Sequence, residues 1–483
     1  MLRRLLVLTF VLAGAVGLVS PAPAAVWSVS AVWQLQDALN GYAPGDEIVL
    51  ATGTYQLTNN RGFTRGRVTL RSATGNRDDV HLVGGGMNTN SGCTEGLSVA
   101  CDDVTIRDLT LQDFYYHGIH VRAENDADRY TITNVKILNC GERYIKGSAG
   151  STYISENCLI ENVWMEQEPG RVMANHNDND YIGGIDIMAT SNLVIRDCTA
   201  VGIKGATGGG RGGIFLWHSI TNPTVERNVI RGCDRGIALG NPSDPGATWY
   251  VDGGIVRNNF IVRGAGIGLE ICFTRNLDVF NNTMYGSSTY FRAVQVYGAN
   301  TTGLELKYNI LRGAILANGV AYTSVGNLTG GAAADSWFVD PAGGNLRLTE
   351  AATLAINHGA SLPQVIADWD GLTRDAQPDI GADEFGLPPA DANLDGLVDY
   401  NDLGALAVNY RMTTGATWAM GDFNFDDQVD YLDLGILASW YRFGTTGGEI
   451  PAGGESIPEP TSLLLLALGL PALLRRRGQP VAF

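Results

Sequence analysis

The chain has 483 residues, a length that suits about three domains. With 45% hydrophobic residues it is too apolar to be disordered, and its 62 glycines follow no Gly-x-y period, which excludes collagen. Lys and Arg number 33 against 50 Asp and Glu, a net charge of −17 that argues against a nucleic-acid binder.

Taken in chain order, the first element is a sorting signal. Arg3 and Arg4 precede an apolar run over residues 5–19, and small residues follow at Ala22, Ala24 and Ala25. That order defines a secretory signal peptide over residues 1–25 and predicts an exported protein. Residues 32–40 read as a short helix ahead of the strand-like stretch 44–50. Seven cysteines are an odd number for an exported chain. Cys93 and Cys101 are spaced to close a small loop or to remain thiols, whereas Cys140 and Cys233 fall at matching repeat positions and read as small apolar core residues.

The body of the chain is a repeat. One pattern recurs at residues 104–111 (VTIRDLTL), 130–137, 193–200, 224–230, 255–261, 277–284 and 304–311, with a looser copy at 153–160. Each copy alternates apolar and polar residues around an Asn or Asp break, as a strand does. Aligning the copies puts Asn157, Asn228, Asn259, Asn282 and Asn309 in one column, where stacked amides can bond from coil to coil. A second strand recurs between the copies, at residues 118–121 (GIHV), 144–147, 184–187, 213–216, 236–239, 266–269 and 293–296. No helix-length amphipathic pattern separates the strands, so the expected fold class is all-β, a right-handed parallel β-helix of stacked coils.

Residues 26–385 resemble the pectate-lyase-like right-handed parallel β-helix proteins. The helix over 32–40 resembles their cap on the first coil, hiding its edge. Asp370, Gly371, Arg374 and residues 378–385 (PDIGADEF) resemble the end of a bacterial β-helix group labelled by a choice-of-anchor domain.

Strand residues two apart share a face. With Ile119 and Val121 pointing in, His120 and Arg122 point out, and the same register exposes Lys146, Asp186, Met188, Phe215, Trp217, Glu270, Gln295 and Tyr297. His120, Lys146 and Asp186 then stack about 4.8 Å apart. Ionic groups beside aromatic plates on one long face suit an extended sugar chain, with Arg122, Trp217, Glu270 and Tyr297 as binding residues. Lyases of this fold abstract a proton beside a uronate carboxylate. Lys146 is the candidate base if desolvation or Arg143 lowers its pKa, His120 a candidate acid or base, and Arg122 or Arg143 the carboxylate holder. A hydrolase would instead use two carboxylates, with Asp186 and Glu270 as the visible pair several coils apart. His218 faces in or out. The stretch 163–181, with Asn and Asp clustered at 175–180, is a groove wall, a cation site or an ordinary surface loop.

Residues 386–446 hold nine Asp and two Arg. The segment 391–402 (DANLDGLVDYND) has oxygen ligands at loop positions one, three, five and twelve and Gly at six, and 422–433 (DFNFDDQVDYLD) repeats it 31 residues later. A helix is expected after each, from Leu403, Leu406, Ala407 and Tyr410 and from Leu434, Leu437, Ala438 and Tyr441. This duplicated loop–helix resembles a type I dockerin. The resemblance implies two calcium ions, on Asp391, Asn393, Asp395, Asp402 and on Asp422, Asn424, Asp426, Asp433. Leu397 and Gln428 offer carbonyls, and Asp399 and Asp430 act through water. It also implies a cohesin-like partner, with an intramolecular spacer as the plain alternative. Asp427 replaces the usual Gly, and Tyr400, Asn401, Tyr431 and Leu432 replace the small hydroxyl residues of the contact positions.

After a linker at 447–457, Pro458, Glu459 and Pro460 lead into an apolar stretch and then Arg475, Arg476 and Arg477. The 13 apolar residues from 462 to 474 span about 20 Å, too short for a ~30 Å bilayer core. The tail over 458–483 resembles a PEP-CTERM sorting signal, which implies an exosortase partner and placement at the cell envelope, surface or matrix. The sequence therefore reads as an exported protein acting on polysaccharide, by lyase cleavage or by non-catalytic binding.

Overall fold

The computed structural model describes residues 24–150, 152–173, 180–244, 246, 248–263, 266–288, 291–298, 300–386, 390–393, 397–423 and 427–441. The linker at 447–457, the sorting tail at 458–483 and all but the last residues of the leader lie outside the described residues. Among the described residues, the chain winds into parallel coils that form a right-handed β-helix with three main strand faces and a short five-stranded parallel stack of two-residue strands.

The first face begins at Val26–Val29 and Glu47–Leu50 and runs through strands such as Val194–Arg196, Thr224–Glu226 and Ile255–Arg257. The second contains Thr199–Val201, Val229–Arg231 and Phe260–Arg263. The third is a ten-stranded parallel sheet that includes His117–Arg122, Arg143–Ser148 and Gly183–Ile187. In-register pairing stacks aliphatic residues inside the coil, from Ile48 through Leu70, Ile106 and Ile132 to Val256 and Leu306, and all of them are buried. Each contributes roughly 1.5–3 kcal/mol by leaving water. As expected, a helix (Val32–Gly41) lays Leu35, Ala38 and Leu39 over the first coil.

The corner between the first two faces demands left-handed backbone. Asn134, Asn162, Asp197, Asn258 and Asn281 all have φ between 49° and 56° there. Asn and Asp tolerate that region because a short polar side chain bonds locally. The next residue inward builds a buried ladder. Asn228 Nδ2 donates to Asn259 Oδ1 at 2.9 Å, Asn259 to Asn282 at 2.9 Å, Asn282 to Asn309 at 3.0 Å and Asn309 to Asn327 at 2.8 Å. Each Oδ1 also accepts the backbone N–H of the preceding rung. Asn157 is not in this ladder: it follows the short strand Ser155–Glu156, and the strand that stacks beneath Val194 and Thr224 starts at Leu159, not at residue 153. Asn157 sits exposed at another corner and accepts from Asn192 Nδ2 at 3.1 Å.

All seven cysteines are thiols, so the small loop from Cys93 to Cys101 is not closed. Cys93 Sγ donates to the carbonyl of Glu95 instead, and Cys140 and Cys233 are core residues as expected. After the last coil the chain returns along the outside of the solenoid. Trp369 stacks on Phe260 with centroids 4.4 Å apart, and Arg374, buried, donates to Asn258 Oδ1 at 3.1 Å, Glu384 Oε2 at 3.0 Å and the carbonyls of Gly381 and Ala382. The closing motif expected around Arg374 and 378–385 is thus a strap on the corner of the coils.

Replacing Asn282 by Ala leaves several buried donors and acceptors unmade, each costing about 1–3 kcal/mol. Urea unfolding of Asn282→Ala is expected to lose about 3 kcal/mol or more. The exposed Asn157→Gly, where Gly accepts the same left-handed backbone, should stay within about 0.5 kcal/mol of the parent.

Candidate functional site

On the third face the pairing places His120 beside Lys146, Lys146 beside Asp186, and Asp186 beside Phe215. The row continues through Ala238 to Glu270 and Gln295, with Tyr297 at the far end beside Cys272. The sequence-predicted residues therefore do form one row, but Lys146, Asp186, Phe215, Glu270 and Gln295 are buried in it rather than exposed as the alternation predicts. Glycine makes the approach of its coils possible: a Cβ on Gly184 would lie 2.3 Å from the Gly213 carbonyl.

Asp186 is the hub, and it is 1% exposed. It accepts Arg143 Nε at 2.5 Å, Lys146 Nζ at 3.1 Å and Trp217 Nε1 at 3.1 Å. Burial pushes its carboxyl up, but the Lys146 and Arg143 charges outweigh burial and hold it below the usual range. Burial also pulls the Lys146 ammonium below the usual lysine range, helped by Arg143 and opposed by Asp186. Trp217 stacks on Phe215 with centroids 5.5 Å apart, and its ring centroid lies 6.0 Å from Lys146 Nζ. Arg143 is buried against the ring of Tyr181, 4.1 Å from its centroid, and its Nη1 has no hydrogen-bond partner.

Arg122 is already engaged, donating to Ser98 Oγ at 2.7 Å and to Glu95 at 3.1 Å. His120 Nδ1 also contacts Glu95. Glu270 faces Arg235, whose Nε lies 3.3 Å away. It stands three strand steps from Asp186, about 14 Å at 4.8 Å per step. That exceeds the carboxylate spacing of either glycosidase geometry, and Asp186 has no room for water, so the two do not form a hydrolytic pair. His218 points out, exposed, with its ring 6.4 Å from that of Tyr250. The cluster at 175–180 lies outside the described residues except Asp180, which accepts the Thr207 N–H at 3.0 Å and so pins the neighbouring glycine-rich loop.

Glu95, His117 and Tyr181 are site residues that the two-residue alternation missed. By parity His117 would face inward with Ile119 and Val121, but Gly118 already faces the core, a local backbone irregularity that leaves the pairing in register, Arg143 opposite His117 and Ile145 opposite Ile119. A Cβ on Gly118 would meet Ile137 at 2.7 Å, so only glycine fits that irregularity. A cavity of about 590 Å³ opens away from the strip, between the first two faces and the C-terminal module, lined by Arg77, Trp164, Trp369 and Trp418 among others. It holds none of the titratable residues predicted for catalysis.

The C-terminal module has its own core of Val398, Leu403, Leu406, Phe423, Val429, Leu434 and Leu437. Both expected helices form, as Tyr400–Asn409 and Tyr431–Trp440. Asp399 and Asp430 cap them, each accepting a backbone N–H at 2.7 Å, so one oxygen of each is committed to the helix. Asp402 Oδ1 accepts the Ala392 N–H and Asp433 Oδ1 the Phe423 N–H, both at 2.7 Å, which folds position twelve over the start of each loop. Asp391, Asp402, Asp422 and Asp433 are all buried. This all-oxygen donor set fits a hard divalent cation. Asp395, Asn424 and Asp426 lie outside the described residues. Asp427 adopts φ 72°, as its replacement of Gly requires, and its carboxylate pairs with Arg77 and, at 3.7 Å, with Lys136 on the solenoid.

Residues 87–309 match the family described as Right handed beta helix region. No curated protein sequence matches the chain. Among solved structures, pectate lyase Pel9A is similar at 16% identity and a TM-score of 0.46, covering 75% of this chain and 97% of its own. An alginate lyase from Paenibacillus sp. str. FPU-7 is similar at 17% identity and a TM-score of 0.35, covering 63% of this chain and 99% of its own. The Streptococcus pneumoniae surface protein and adhesin PfbA is similar at 12% identity and a TM-score of 0.38, covering 62% of this chain and 93% of its own. A fold alone names no activity.

Removing Asp186 strands two buried cations. Asp186→Ala is expected to lower stability by about 3–5 kcal/mol in urea unfolding, while Lys146→Met, which leaves Asp186 its Arg143 partner, should cost less.

Proposed function

We propose that this protein is exported and acts on an anionic, uronate-containing polysaccharide along the third face, with Lys146 as the base of a lyase reaction. The observation that carries this reading is the desolvated Lys146, set between Arg143 and His120 beside the Trp217 plate. A glycan carboxylate near Arg143 gains charge neutralisation, which acidifies the proton next to it. Neutral Lys146 takes that proton, the glycosidic C–O bond breaks, and an unsaturated sugar end results. His120 is placed to move a proton at the neighbouring position, and Arg122, Trp217, Glu270 and Tyr297 extend the binding strip. Asp186, sealed beneath, acts as a positioning residue that holds Arg143 and Lys146. The same ion pairs support a second reading, a non-catalytic glycan-binding surface, because Asp186 favours the charged lysine.

A rise in absorbance from an unsaturated product on uronate polymers tests the choice. Wild type is expected to produce it and Lys146→Ala to lose it by at least about 100-fold, while Trp217→Ala weakens binding. The rate should climb with pH, because only the deprotonated lysine accepts a proton and burial has moved that titration downward. Glycan retained with no product from any uronate polymer would leave the binding reading standing.

The C-terminal module is proposed to be a dockerin-like domain that binds two calcium ions through Asp391, Asn393, Asp395, Asp402 and Asp422, Asn424, Asp426, Asp433. Exposed Tyr400, Tyr431 and Leu432 sit at the positions where a cohesin-like partner would dock. The tail would deliver the chain to the envelope through an exosortase. Chelation is expected to unfold the module by removing the ions that offset its carboxylate repulsion. Loss of near-ultraviolet signal from Trp418 and Trp440, restored by added calcium, checks it.

A further inference from the structure

We propose that Glu95, His117 and His120 form a transition-metal site, selective for Zn²⁺-like ions, at the end of the strip next to Lys146. One nitrogen of each imidazole and one oxygen of Glu95 lie within 4.8 Å of one another. Zinc bonds of about 2.0–2.2 Å set ligand atoms some 3.3–3.6 Å apart, so side-chain adjustments of about 1 Å assemble the site. The three residues come from two segments held firmly together. The Gly96 N–H donates to the His117 carbonyl at 2.9 Å, which ties Glu95 to the strand that carries both histidines. The rings of His117 and His120 meet edge to face, with centroids 5.0 Å apart.

A second observation points to a missing ligand. His117 Nδ1 and His120 Nε2 are buried without a hydrogen-bond partner, and His117 is only 9% exposed. Buried ring nitrogens normally find a partner, and an imidazole that lacks one costs about 1–3 kcal/mol. Glu142 Oε2 lies 3.9 Å from His117 Nε2, placed to orient that ring from behind as a metal-ligating histidine requires. Arg122 does the same for the Glu95 carboxylate. The groups facing the site are Glu95 and Glu142 on the acidic side and Arg122, Arg143 and Lys146 on the basic side. Two imidazoles and one carboxylate suit zinc better than calcium, which prefers oxygen. Three protein ligands leave one position open, and His120 pairs directly with Lys146. The open position would take a carboxylate or hydroxyl oxygen of a bound glycan. The site rests on its own geometry and stands whether or not Lys146 acts as a base; with the ion bound, His120 is a ligand and no longer the proton carrier of the lyase reading.

The test is zinc binding to the full exported chain in excess calcium, so that the C-terminal loops stay filled. One zinc ion per chain is expected at micromolar or tighter affinity. His117→Gln and His120→Gln should each weaken it by at least about 10-fold, and Glu95→Gln by a comparable factor. Circular dichroism shows whether each variant keeps the β-helix. Cobalt(II) on the wild type supplies a readout independent of the variants: intense visible bands of a four-coordinate N/O site are expected. No uptake of zinc, affinity unchanged in both folded histidine variants, or only the pale spectrum of six-coordinate cobalt would overturn the assignment. None of these readouts involves cleavage of a glycan, so failure here is distinct from failure of the lyase reading.

Discussion

Parallel coils paired in register force every side chain to lie directly over its counterpart in the next coil, one strand spacing away. Inside, that repetition is favourable for aliphatic residues and for asparagine, whose amide both donates and accepts. Outside, it forbids long runs of one charge, because like groups at that spacing repel. The strip of His120, Lys146 and Asp186 obeys the rule by placing Asp186 next to Lys146 and drawing Arg143 across to the same carboxylate. The cost is burial of charge, which is tolerated only because each oxygen of Asp186 is bonded.

Much of this was legible in the sequence, for a physical reason. The two-residue alternation reports which side chains leave the coil, and the recurrent Gly-Ile pair marks where coils come closest. Hence the strip, the first-coil helix and four of the five ladder asparagines could be placed. Asn157 was misplaced because corner asparagines at different corners look alike: each follows a strand and precedes an apolar residue. Asn327 went unseen because the last strands, Tyr322–Val325 and Leu328–Thr329, lose the apolar pattern at the exposed end of the solenoid. Glu95 and His117 were missed for a different reason. One comes from a connection between strands, and the other precedes a backbone irregularity at Gly118 that breaks the alternation while the pairing stays in register. Three residues apart, the two histidines fall on opposite faces under strict alternation, so their spacing gave no signal that they meet.

The hydrolytic pair shows how the same geometry excludes. Asp186 and Glu270 share a face, as the alternation predicts, yet the coil count between them sets a distance that no single glycosidic bond bridges. Position along the axis of a solenoid is as decisive as facing. The residues able to act together are those of two or three adjacent coils, and here these are cations and imidazoles set among the carboxylates of Glu95, Glu142 and Asp186.

The contact between Arg77 and Asp427 has a further consequence. Arg77 belongs to the connection before the strand Val80–Val83, while Asp427 occupies the bend of the second acidic loop, where its backbone N–H also donates to Asp422. One residue thus serves two ends, its backbone the curvature of the second acidic loop and its carboxylate the seating of the small module upon the large one. Whatever changes the shape of that bend must also loosen the seat, and by thermodynamic reciprocity a firmer seat must favour the bend in its present shape.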